Sequence, residues 1–145
     1  MPNIISALNR IAASDNPDYN RGIHWKLVGK YFYDKDGDGF IRWKKRPSQS
    51  VHEHDIAGSI HLDGGGTSAD YRGWGKGFVY VIRFRRVSFR RSHLVFALYR
   101  NRWVTPGMTL DHLDGDRLND CISNLEEVTH EENLRRYNFK RWHPE

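Results

Sequence analysis

At 145 residues the chain has the length of one ordinary domain, with room for a single core. Hydrophobic residues at 38% and aromatic residues at 13% exclude an intrinsically disordered chain, and the longest apolar runs are too short for a membrane span. The net charge of +5 favours an anionic partner, and Cys121, the single cysteine, excludes an internal disulfide or a structural zinc site built from paired cysteines.

Residues 3 to 13 place Ile4, Ile5, Leu8 and Ile11 at helical spacing and predict a short amphipathic arm, ended by Ser14-Asp15-Asn16-Pro17. With no basic region followed by a long apolar stretch at the amino end, a cytoplasmic protein is expected. Trp25 to Tyr33 is apolar without a clean period. The run Asp34-Lys35-Asp36-Gly37-Asp38-Gly39 predicts a turn leading into a strand at Phe40 to Trp43. That run imitates the start of a calcium-binding loop, but position twelve, where a bidentate Glu is needed, is Lys45. An acidic turn accounts for it better than a calcium-responsive interaction module. Pro47 to Gly66 predicts a long connection with a short strand near Ile56 to Leu62.

Phe78 to Phe84 and Val87 to Arg90 predict a β-hairpin, and Ser92 can cap a helix from about His93 to Asn101, stopped by Thr105-Pro106-Gly107. His93, an isolated histidine at a helix start, reads as structural. From Tyr71 to Leu110 there are nine basic residues (Arg72, Lys76, Arg83, Arg85, Arg86, Arg90, Arg91, Arg100, Arg102) and no acid. Such a stretch repels itself unless a polyanion neutralises it, and nucleic acid is the commonest one. Arg83, Arg85, Arg86, Arg90 and Arg91 are therefore candidate DNA contacts, with Arg135, Arg136 and Lys140 on a final helix. The sign then flips, with Asp111, Asp114, Asp116 and Asp120 inside ten residues, a crowding that solvent, salt or a cation must relieve.

Residues 109 to 136 predict a strand through Leu110, a polar loop around Gly115, a strand from Leu125 to Val128, and a helix. Thr129 and Glu132 stand at capping-box spacing, which puts Asn133 one turn into that helix. The string Asp111-His112, eleven residues, Asn124-Leu125, then Thr129 and Asn133, resembles the HNH endonucleases of the ββα-metal superfamily, in particular the small phage- and intron-encoded homing enzymes.

The resemblance implies a DNA endonuclease or nickase, acting as a freestanding homing enzyme, that leaves 5′-phosphate and 3′-hydroxyl ends. It makes His112 the general base, Asn124 the residue that orients it, and Asp111 and Asn133 the protein ligands of one Mg²⁺ or Mn²⁺ ion per site. Neighbouring strand residues point to opposite sides, so Asp111 and His112 can serve the metal and the water separately. Oxygen donors suit these ions better than zinc. One residue departs from the family pattern: Asp120 stands where Asn is common.

The expected fold is α+β: an amino-terminal arm (1–22), an antiparallel sheet with a helix that serves DNA binding (23–104), and a carboxy-terminal ββα-metal module (105–145). DNA is the expected partner, no membrane is expected, and the chain acts as a monomer or homodimer. The alternative is a DNA-binding protein with a degenerate, inactive HNH fold.

Overall fold

A computed structural model describes residues 22–62 and 78–142, with the side chains of Lys140 and Arg141 left aside. The predicted arm at 3–13, Gly64 to Gly66, Arg72 and Lys76 lie outside the described residues. The architecture is α+β, built from three small antiparallel sheets and three helices among the described residues. No helix there is long and apolar enough to cross a membrane.

The apolar stretch after Trp25 divides into helix α1 (Lys26–Tyr31) and strand β1 (Phe32–Tyr33). Strand β1 pairs with β2 (Arg42–Trp43), Phe32 opposite Trp43, so the acidic run between them is a connecting turn. Within it Asp34 Oδ2 accepts from the Gly39 amide, and Asp38 Oδ1 accepts from the Phe40 amide. The carboxylates organise their own turn, as Asp and Asn side chains commonly do.

The second sheet runs in the order β3 (Ser59–Leu62), β4 (Phe78–Phe84), β5 (Val87–Arg90). Its β4–β5 hairpin follows the sequence prediction in extent, and the register sets Phe84 opposite Val87. The predicted strand near Ile56 reduces to Ser59–Leu62 plus an isolated bridge from Ile56 to Arg42. Helix α2 (Arg91–Arg100) starts two residues earlier than predicted. Ser92 is buried inside its first turn rather than capping it.

The third sheet pairs β6 (Met108–His112) with β7 (Leu125–Thr129), and helix α3 (His130–Trp142) packs against both. One buried cluster joins all three sheets. Phe32, Trp43 and Phe84 meet with ring centroids 4.4 to 6.4 Å apart, Phe89 stacks on Trp103 at 5.8 Å, and Leu125 of β7 belongs to the same cluster. Each such side chain contributes about 1.5–3 kcal/mol through burial. Trp103 satisfies its indole by donating to the Ile23 carbonyl at 2.8 Å.

Candidate active site

The site begins at the end of β6. Asp111 pairs across the hairpin with Glu126 and His112 with Leu125, so the two side chains leave opposite faces of one short ribbon. Beyond His112 the chain enters the acid-rich loop, which is closed by hydrogen bonds of its own. Asp114 accepts from the Asp116 amide, the Asn119 carboxamide and the Asn124 carboxamide. The Asn119 bond is the largest influence holding the Asp114 carboxyl below the usual carboxylate range. Asp116 accepts from the Leu118 amide. The crowding expected from sequence to need solvent, salt or a cation is thus relieved at these two residues in part by the loop itself.

Asn124 is buried, and its carboxamide is fully used. Oδ1 accepts from the Asp114 amide at 3.0 Å, and Nδ2 donates to Asp114 and to the Asn119 carbonyl. None of these bonds reaches His112, so Asn124 fixes the loop rather than the imidazole, which differs from the role the resemblance implies.

His112 is held instead by Asp120, the departing residue. His112 Nε2 lies 2.7 Å from Asp120 Oδ1, and the other Asp120 oxygen accepts from Arg91 Nε at 2.8 Å. Asp120 and Arg91 are 2% and 0% exposed, whereas His112 keeps 16% of its surface open. The Arg91 guanidinium lies 3.7 Å from the Tyr80 ring centre and 4.3 Å from that of Phe40, and donates through Nη2 to the Leu118 carbonyl.

Arg91 is therefore corrected as a DNA contact: it is sealed in the interior, and its charge is spent on Asp120. The signal was present in the sequence. Arg91 stands three and four residues before Leu94 and Val95, on the face of α2 that its apolar residues send inward.

The other face of the ribbon meets α3. Thr129 Oγ1 accepts from the Glu132 amide at 3.0 Å, the cap expected from the Thr-x-x-Glu spacing. The Glu132 side chain does not complete the reciprocal half; it receives Arg135 and Arg136 instead. Those two guanidiniums push the Glu132 carboxyl down to about 2.

Arg136 also donates to Glu126 at 2.7 Å and to Asp111 Oδ2 at 3.0 Å. Its pairing with Glu126, foremost, holds that carboxyl below its ordinary range. Asn133 is half-buried, one turn before Arg136 and so on the same side of α3.

Among the described residues no group of three or more His, Cys, Asp and Glu side chains is arranged to hold a metal ion. The candidate oxygen donors named from sequence are the Asp111 carboxylate, whose Oδ1 has no hydrogen bond among the described residues, and the Asn133 carboxamide. Few hard protein donors, with the remaining positions left to water and phosphate, fit a Mg²⁺-type ion.

Arg83, Arg85, Arg86 and Arg90 are exposed on or beside the β4–β5 hairpin. Arg85 and Arg86 form its two-residue turn with φ of 53° and 66°, left-handed values that side-chain-bearing residues seldom adopt. Arg135 is 68% exposed beside Glu132, while Arg136 is engaged with three carboxylates. The Lys140 side chain lies outside the described residues.

Residues 90–135 match a family model described as HNH endonuclease. No curated protein and no solved structure matches the chain.

Proposed function

We propose that the protein is a divalent-metal-dependent endonuclease that hydrolyses phosphodiester bonds in DNA, a reading supported by the match of residues 90–135 to the HNH endonuclease family model. The observation that carries this reading is the placement of Asp111 and His112 on opposite faces of the β6–β7 ribbon, with helix α3, which bears Asn133, packed against both strands. Hydrolysis needs a proton acceptor for water on one side of phosphorus and charge stabilisation at the leaving 3′ oxygen on the other.

His112 is the proton acceptor, partly open to solvent and fixed by a buried partner. It takes a proton from water as the water oxygen bonds to phosphorus and the bond to the 3′ oxygen breaks. The proton passes on to that oxygen through solvent, giving 5′-phosphate and 3′-hydroxyl ends. Asp111 and Asn133 would hold a Mg²⁺ or Mn²⁺ ion, which supplies neutralisation of the phosphate and of the leaving oxygen. Arg83, Arg85, Arg86 and Arg90 present positive charge to the DNA backbone.

Incubating supercoiled plasmid with Mg²⁺ or Mn²⁺ tests the proposal. Wild type is expected to nick or linearise the plasmid, and His112→Ala to be slower by about 10²-fold or more. If both proteins retard DNA on a gel yet leave it supercoiled, the chain is a DNA-binding protein with a degenerate active site.

A further inference from the structure

We propose that Asp120 and Arg91 are positioning residues that set which imidazole nitrogen of His112 faces the scissile phosphate. The inference rests on the nuclease reading and deepens it. An ionised carboxylate only accepts hydrogen bonds, so the 2.7 Å contact from Asp120 Oδ1 places the proton of neutral His112 on Nε2 and the lone pair on Nδ1. Nδ1 has no hydrogen bond among the described residues and is the nitrogen left to receive a proton from water.

Arg91 holds the other oxygen of Asp120. Its guanidinium donates to the second Asp120 oxygen at 2.8 Å and packs against the Tyr80 and Phe40 rings. The Leu118 carbonyl accepts from its Nη2. A buried ion pair adds little to stability compared with apolar residues of the same volume. An Arg–Asp pair spent on the tautomer and angle of a base, by contrast, has a role that apolar residues cannot fill. The support comes from four separate parts of the chain: the acidic turn, β4, α2 and the loop after β6.

The test joins a spectroscopic readout to single-turnover kinetics on the full chain. In protein labelled with ¹⁵N-histidine, with the His112→Ala spectrum identifying the resonance, His112 is expected as the Nε2–H tautomer. An Nδ1–H tautomer overturns the proposal whatever the activity.

Asp120→Asn leaves one acceptor oxygen for two donors. With that oxygen on Arg91, the amide meets Nε2 and drives the proton to Nδ1, so the tautomer switches and the single-turnover rate falls by about 10²-fold while the DNA Kd is unchanged. Adding Arg91→Met to Asp120→Asn frees the oxygen for Nε2, and the tautomer and about tenfold of the rate are expected to return. A folded Asp120→Asn protein that cleaves at the wild-type rate overturns the role of Asp120. A folded double variant with no recovery overturns that of Arg91. Should Asp120→Asn not fold, the tautomers of wild type and double variant decide. Wild type that never cleaves ends the nuclease reading alone, and the tautomer still decides the positioning.

Discussion

His112 is a side chain held firmly and yet expected to be dispensable to the fold. Its ring is anchored to Asp120 but partly open, and Asp120 keeps Arg91 as a partner when the ring is gone. His112→Ala is expected to shift unfolding by no more than about 1 kcal/mol while it removes cleavage, so denaturant melts and plasmid assays should separate cleanly. Asp111→Ala acts differently. It takes a carboxylate from the proposed metal ligands and leaves Arg136 on Glu126 and Glu132, so Mn²⁺ binding measured by calorimetry is expected to weaken along with turnover.

Glu132 gives a residue-scale pH prediction. Its carboxyl titrates near 2 in the folded chain against an ordinary 4.5, because Arg135 and Arg136 favour the charged form. A lowered folded-state pKa adds stability above the ordinary value that is lost as pH falls from 4.5 to 2. Urea midpoints of wild type and Glu132→Gln are therefore expected to converge over that window. The pair is solvent-exposed and salt should shrink the difference at higher pH. Midpoints that keep a constant gap down to pH 2 would contradict the assigned pairing.

Among the elements, the β4–β5 hairpin carries a local conflict. A two-residue turn of this hand prefers Asn-Gly, whereas this chain places Arg85-Arg86 there, both with positive φ. Strained positions of this kind cost about 1–3 kcal/mol each and persist where a function uses them. Replacing the pair by Asn-Gly is expected to raise stability by at least about 1 kcal/mol while weakening DNA binding and flattening its dependence on salt. A more stable variant with unchanged affinity and salt slope would take the hairpin tip out of the DNA interface. Helix α3 shows the opposite case, because its Thr129 cap, its register and its contact with β6 all agree.

At the scale of the whole molecule, the acidic turn supports the loop that carries Asp120. A Cβ on Gly39 would lie 2.5 Å from both the carbonyl carbon and the carbonyl oxygen of Asp120, and Gly39 sits at φ 84°. Cys121 adds a contact from its thiol to the Gly37 carbonyl. Gly39→Ala is expected to destabilise the fold by about 2 kcal/mol or more and to slow cleavage through displacement of Asp120. A variant that melts and cleaves like wild type would show that this approach is not tight. The turn thus has a structural task that its resemblance to a calcium loop did not suggest. The expected division between residues 104 and 105 is bridged by the Arg91–Asp120 pair and by Leu125 in the shared core.

The local rules of the chain determined much of this protein. The β4–β5 hairpin, the β6–β7 ribbon and the Thr129 cap follow from alternation, turn residues and fixed spacing, which act over a few neighbouring residues. The Asp111, His112 and Asn133 candidates come from the same kind of signal, fixed spacings within one stretch of the chain. What only the tertiary structure decided are partners that no local rule names: Arg91 turned inward to Asp120 across 29 residues, Asp120 in place of Asn124 against His112, and the acidic turn set against the loop. Whether a charged side chain meets solvent or a buried counter-charge depends on which distant segments pack over it. That packing is a property of the assembled core, not of any run of residues.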